Sequence, residues 1–325
     1  MPGAPVRVGP VGSGFVTEAE VSTTVDVRPV TGIIGAEIEG VDLRQPLDAA
    51  VVAEITEALL RWKVLFFRDQ PLTQDQHLAF ARAFGEPTAA HPVHAGVADQ
   101  PNIYAVETGQ LKGSPRRRRE PPPFAPGPST QTGWHTDITF VPNPAMGSIL
   151  RGVVIPPAGG DTLWTNLVAA YEDLSEPIRD LIDGLQAVHR WRDYDGLAKR
   201  EDHDPAAPPP TAVHPVVRVH PDSGERALFV NPTFTRYLVG LSDRESSQIL
   251  DLLYAQLARP EFTVRFRWEP DSLAFWDNRA TAHVGPVDLA RADFDRLVER
   301  ITLVGDVPVG PDGFRSQALT GDLFT

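Results

Sequence analysis

The chain has no cysteine in 325 residues. That absence excludes disulfides, thiolate metal sites and cysteine nucleophiles, so any bound metal must use histidine, aspartate or glutamate. Long apolar runs are also missing: none approaches the roughly 20 residues needed to span a bilayer. The opening stretch "MPGAPVRVGPVGSGFVTEAEV" lacks the apolar segment of a secretory signal and reads as a flexible extension over residues 1–25. Positive charge is in deficit, with 30 Lys and Arg against 43 Asp and Glu, a net charge of −13 that argues against a nucleic-acid or anionic-membrane surface. A cytoplasmic location is the resulting expectation. No repeat of fixed period and no linker divides the chain, which favours one domain.

What is present is an ordinary globular composition, 42% hydrophobic and 22% charged, able to bury a sizeable core. "VTGIIGAEIEGVDL" (30–43) alternates around glycines like a short hairpin, and "VLFF" (64–67) reads as a fully apolar strand. Asp48 is placed to cap a helix running to about Trp62, with Val52, Ile55 and Leu59 on one stripe. Thr73 with Gln76, and Ser242 with Glu245, match the capping-box pattern that starts a helix, and the first of these helices should stop at Gly85. Short β runs are expected at 147–154, 161–165, 213–219, 226–230, 262–267, 272–276 and 297–304. Such strands between Gly/Pro turns predict a mainly β sandwich or barrel with helices packed outside. "GSPRRRREPPPFAPGPST" (113–130) and "KREDHDPAAPPPT" (199–211) read as surface loops. The first feeds into His135, which makes a lid its sharper reading.

"GWHTDITF" (133–140) sets His135 and Asp137 two apart in a β-prone stretch. In a strand, residues i and i+2 share a face, so an imidazole and a carboxylate would point to one place. A third ligand has to come from elsewhere. His220 and Asp222 repeat the spacing, but Pro221, Ser223 and Gly224 mark a hairpin turn there, and the pair reads as structural. His77 on a helix and His189 beside a tryptophan read as surface or core-edge residues. His283 in "LAFWDNRATAHVGPVD" follows a strongly apolar strand and is the best candidate.

Two histidines and one carboxylate on a β scaffold form the facial triad of non-heme iron(II) oxygenases. A cosubstrate such as 2-oxoglutarate then needs a fixed cation for its distal carboxylate, and arginine binds a carboxylate bidentately. Arg296 and Arg300 in "RLVERITLVGD" are four apart and so share a strand face, and Thr162 in "GGDTLWTN" offers a hydroxyl. The same donors also suit a zinc hydrolase, and a non-catalytic binding jelly roll is a further alternative; the paired arginines weigh against both.

In these motifs, taken in order with "VLFFRDQPLT", "FGE", "PPAGGDTLWTN", "FVNPTFTRYLVGL" and "ERITLVGDVP", the chain resembles the taurine dioxygenase family of Fe(II)/2-oxoglutarate-dependent oxygenases. The resemblance implies a mainly β fold with flanking helices around a double-stranded β-helix, or jelly roll, over residues 26–325, with a lid segment around 107–132. It implies that His135, Asp137 and His283 hold iron(II), that Thr162 and Arg296 anchor 2-oxoglutarate, and that Arg300 lies near its C1 carboxylate and the substrate. With dioxygen as second cosubstrate, the reaction oxidises a C–H bond by hydroxylation, desaturation or epoxidation and releases succinate and carbon dioxide. The expected partner is a small organic anion, such as a secondary-metabolite intermediate; the alternative is an alkylsulfonate or alkyl sulfate cleaved for its sulfur. By the family pattern His91, Arg300 and the backbone N–H of Ile138 clasp an anionic group, and Phe234 belongs with these substrate residues. His94 and Gln131 stand where the pattern has a tyrosine and an asparagine for the taurine amine, so taurine is expected to be a poor substrate. A homo-oligomer, dimer or tetramer, is also expected.

Overall fold

A computed structural model describes residues 25–89, 91–92, 96–97, 99–108, 133–191, 208–285 and 294–325. The chain opens with strands β1 (Asp26–Pro29) and β2 (Ala36–Glu39), helix α1 (Ala49–Trp62), strand β3 (Val64–Phe67), helix α2 (Gln74–Arg82) and strand β4 (Tyr104–Thr108). It continues through β5 (Gly147–Val154), β6 (Thr162–Asn166), α3 (Leu167–Glu172), α4 (Glu176–Ile182), β7 (Gln186–Arg190), β8 (Thr211–Pro215) and β9 (Val217–Val219). Then come β10 (Arg226–Leu228), β11 (Thr235–Leu238), α5 (Asp243–Leu257), β12 (Thr263–Phe266), β13 (Leu273–Asp277), β14 (Thr281–Val284), β15 (Arg296–Thr302) and β16 (Gln317–Thr320). The result is β-rich with few helices. No helix among the described residues is long and apolar enough to cross a membrane.

Seven strands form one sheet in the order β1-β2-β3-β13-β5-β15-β4, beside smaller sheets β12-β6-β14, β11-β7-β8-β16 and β10-β9. Period-2 alternation decides what each face of the large sheet meets. Leu65, Phe67, Ile149, Phe275 and Ile301 pack under α1 and α2. Val64, Phe66, Leu150, Trp276 and Val298 point the other way, onto Trp164, Val264 and Phe266 of the β12-β6-β14 sheet. Residues 296 and 300 of β15 therefore share the inner face with Val298.

The capping signals behave as their chemistry requires. Asp48 Oδ1 accepts from Val51 N at 2.9 Å, and both capping boxes close reciprocally. Each such cap is worth about 1 kcal/mol because it satisfies donors with no partner inside the helix. Some expectations shift. The hairpin is β1 and β2, with its turn at 30–35, so it starts before the alternating run at 30–43. The buried stripe of α1 is Val51, Ile55, Ala58 and Leu59, and Val52 sits at its edge. Helix α2 ends at Arg82, ahead of Gly85. His77 and His189 are fully buried, correcting their surface or core-edge assignment. Neither residue was legible, because a histidine's burial depends on what crosses over it.

Candidate active site

The segment 133–140 is not the strand that its residue types predict. His135 N donates to His283 O at 2.9 Å and His283 N to His135 O at 2.7 Å, a single antiparallel bridge, after which the chain turns. Ile138 takes φ 47°, a left-handed conformation that a β-branched residue adopts only under constraint. No pleat sets His135 and Asp137 on one face; bridge and turn bring them together. His283 follows the apolar strand β13, as expected, and itself sits on a further strand, β14, opposite Trp164 of β6.

The three side chains converge. Nε2 of His135 and Nε2 of His283 each lie 3.9 Å from Asp137 Oδ1, and one ligand atom from each residue lies within 4.8 Å of the others. His135 Nδ1 is 2.8 Å from the Gly133 carbonyl. A carbonyl only accepts, so Nδ1 carries the proton and Nε2 turns its lone pair toward Asp137. Burial, then the nearby His135, push the His283 pKa down to about 3, which keeps that ring neutral. Burial alone would raise the Asp137 pKa, but Arg300, His283, His135 and the Ser148 hydroxyl together hold it below the usual carboxylate range. Two neutral imidazoles and an ionised carboxylate, without sulfur, are the donor set that suits iron(II).

Behind the carboxylate runs a buried relay that the sequence did not reveal. Trp276 Nε1 donates to Asn278 Oδ1 at 2.9 Å, Asn278 Nδ2 to Ser148 Oγ at 2.8 Å, and Ser148 Oγ to Asp137 Oδ2 at 2.7 Å. Groups that orient a metal-binding carboxylate typically govern 10–100-fold in affinity, so Ser148→Ala should weaken metal binding by about that factor. Anaerobic cobalt(II) titration measures it, and wild-type affinity in the variant would show that Oδ2 needs no anchor. The second His-x-Asp pair is structural, as its turn residues indicate. His220 Nε2 sits 2.9 Å from Asp277 Oδ2, and Arg279 bridges Asp277 and Asp222, pinning the turn that leads into β14.

Thr162 and Arg296 are both buried. Trp268 Nε1 donates to Thr162 Oγ1 at 3.0 Å, and the Arg296 guanidinium lies 6.0 Å from the Trp268 ring. Gly160, at φ +80°, would put a Cβ 3.3 Å from Arg296 Cδ and Nε. That position therefore favours glycine for its conformation, and a Cβ there would press on the Arg296 side chain. Arg300, about 13 Å further along the strand at 3.3 Å per residue, donates from Nη1 to Asp137 Oδ1 at 2.5 Å. The two arginines thus stand about 13 Å apart on one face of β15.

A series of ring contacts also connects His135 with Arg300. Phe234 stands edge-on to His135 at 6.0 Å, Phe140 lies 5.1 Å from Phe234, and Trp191 lies 4.9 Å from Phe140. His91 follows at 5.2 Å from Trp191 and 5.6 Å from Tyr104, whose ring lies 5.3 Å below the Arg300 guanidinium. His91, Phe234, Ile138 and Arg300 are accordingly brought to one region. Tyr104, Phe140 and Trp191 were missed, although Phe140, only three residues beyond Asp137, was the readable one. His94, Gln131 and the loops at 113–130 and 199–207 lie outside the described residues.

Residues 26–301 match the family model described as taurine catabolism dioxygenase TauD, TfdA family. An alpha-ketoglutarate-dependent sulfate ester dioxygenase of Pseudomonas putida is 44% identical over 304 residues, covering 90% of this chain and 94% of that protein. An alkylsulfatase of Acinetobacter baylyi is 37% identical over 304 residues, covering 90% and 89% respectively. A crystal structure of a taurine dioxygenase from Burkholderia xenovorans is 50% identical, with a TM-score of 0.78, and covers 92% of this chain and 95% of that one.

Proposed function

The chain belongs to the taurine catabolism dioxygenase TauD, TfdA family, and from that premise we propose that it oxidises and cleaves alkyl sulfate esters. It is an oxidoreductase dependent on iron(II), 2-oxoglutarate and dioxygen. We assign iron(II) to His135, Asp137 and His283, the distal carboxylate of 2-oxoglutarate to Arg296 and Thr162, and the substrate anion to Arg300, His91 and the Ile138 N–H. Residues 26–325 are read as one domain with a double-stranded β-helix core.

Iron(II), when bound, supplies dioxygen activation coupled to decarboxylation of 2-oxoglutarate, giving succinate, carbon dioxide and one oxygen atom for a substrate C–H bond. The protein's share is placement. Arg300 holds the anionic head while the rings of Phe234, Phe140 and Trp191 exclude water and take an apolar tail. When the oxidised carbon carries the sulfate oxygen, its new hydroxyl loses a proton, the C–O bond to sulfate breaks, and an aldehyde and sulfate leave.

The observation that carries the substrate class is the cluster of apolar rings, Phe234, Phe140 and Trp191, packed beside His135, with the Arg300 cation at the metal ligand Asp137. The 44% identical relative named as a sulfate ester dioxygenase supports it. His94 and Gln131, standing where the family pattern has partners for the taurine amine, support the expectation that taurine is poor. Hexyl sulfate should yield equimolar succinate, sulfate and aldehyde, with kcat/KM at least about ten-fold above taurine, since burying even a few methylenes is worth more than 1.4 kcal/mol. Coupled assays of succinate and sulfate release measure it. Efficient taurine turnover, or a preference for neutral compounds, would refute the assignment.

A further inference from the structure

Thr139 follows the strained Ile138 and takes no part in the chemistry assigned above, yet polar groups from distant parts of the chain converge on it. Its side chain is fully buried. Oγ1 lies 2.9 Å from His189 Nδ1 and accepts from Asn231 Nδ2 at 3.2 Å, and the Thr139 carbonyl accepts from His214 Nε2 at 2.7 Å. A second ring of partners backs these up: Thr235 Oγ1 is 3.1 Å from His189 Nε2, and Ser316 Oγ is 2.7 Å from His214 Nδ1. Because a carbonyl only accepts, His214 donates from Nε2 and takes the Ser316 hydroxyl proton at Nδ1, so both of its nitrogens are satisfied.

The network touches both walls of the substrate region. Asn231 spends its amide on Thr139 and its Oδ1 on the backbone N–H of Phe234, at 2.8 Å. Thr139 is covalently next to Ile138, at φ 47°, a conformation that persists only where its surroundings over-determine it. Two buried imidazoles are a costly way to fill a core that aliphatic side chains would fill well, unless their hydrogen bonds fix something.

Building on the assignment of Ile138, Phe234 and Arg300 to the substrate, we propose that Thr139, clamped by His189, His214 and Asn231, is a positioning residue. It locks Ile138 in the left-handed turn that presents its N–H to the substrate anion, and through Asn231 it keeps the Phe234 wall at a set spacing from that N–H. Among the described residues Thr139 makes no hydrogen bond to His135, Asp137 or His283; its bonds go to His189, His214 and Asn231.

The test is binding of hexyl sulfate to the anaerobic complex with iron(II) and 2-oxoglutarate, read from the shift of its visible charge-transfer band. Thr139→Val, which keeps shape and loses the hydroxyl, should weaken hexyl sulfate binding about ten-fold or more, because small misplacement at a binding centre costs up to 100-fold. Affinities for the metal and for 2-oxoglutarate should stay within about two-fold, and Thr139→Ser should restore hexyl sulfate binding. Should Thr139→Val not fold, Ser316→Ala strips only the outer support of His214 and should give a smaller loss in the same parameter. Unchanged hexyl sulfate affinity in the variant that folds, equal losses for all three ligands, or no rescue by serine would overturn the clamp alone. If the wild type binds none of hexyl sulfate, hexanesulfonate and hexanoate, the anion assignment falls and takes the clamp with it.

Discussion

His283→Ala is expected to abolish turnover while leaving a folded protein. The reason lies in how His283 is held. Its backbone makes the two hydrogen bonds of the bridge to His135, and alanine keeps both. Its Nδ1 has no hydrogen-bond partner among the described residues, so removing the ring leaves no buried partner stranded. What is lost is packing against His135 and Trp276, 4.2 and 5.0 Å away, and one of three bonds to the metal. A cavity of that kind costs about 1–3 kcal/mol, a shift of a few degrees in Tm for a chain of this size. Losing a metal ligand removes the reaction. His220→Ala is the contrasting variant, because it strips Asp277 of a buried partner. It should lower Tm at least as much yet keep stoichiometric iron binding. Anaerobic iron titration and thermal melts on both variants check the pair; wild-type-like activity in His283→Ala would overturn the triad.

Sequence legibility followed the range over which each signal acts. Caps such as Asp48, Thr73 with Gln76, and Ser242 with Glu245 act within four residues and were readable, as was the four-residue run Val64–Phe67, buried throughout. The triad was readable for a different reason: the chemistry demands two imidazoles and a carboxylate, and only two His-x-Asp pairs occur in the chain, one of them in a turn. The geometry that unites them was not. The β-prone types in "HTDITF" predict a strand, and the left-handed Ile138 is imposed by tertiary contacts on Thr139 that no local pattern announces. Helices α3 and α4, six and seven residues long, are too short to display a helical period. The relay Trp276–Asn278–Ser148 joins residues 130 positions apart, which only folding brings together. Trp276 and Ser148 fall inside expected β runs, where residue type alone names no partner.

The second large effect expected is a division of labour between the two arginines of β15. Arg296→Leu should raise the KM for 2-oxoglutarate by about 100-fold, because a carboxylate sequestered there loses a buried cationic partner worth roughly 2–5 kcal/mol. Iron binding should persist, since Arg296 packs by Trp268 and Gly160. Arg300→Leu acts at the other end. It removes the cation assigned to the sulfate head and also the Nη1 donor at 2.5 Å from Asp137. Hexyl sulfate affinity should fall by a similar factor while the 2-oxoglutarate KM moves only a few-fold. Metal binding should also become more sensitive to acid. Arg300 helps hold the Asp137 pKa low, so without it the carboxylate takes up a proton at a higher pH, and a protonated carboxyl is a poor ligand. Arg300→Lys should not rescue, because an ammonium cannot serve Asp137 and a sulfate in the planar geometry of a guanidinium. Steady-state kinetics for each substrate in each variant separate the roles, and a 2-oxoglutarate KM that rises in Arg300→Leu but not in Arg296→Leu would mean that the two arginines have been assigned in reverse.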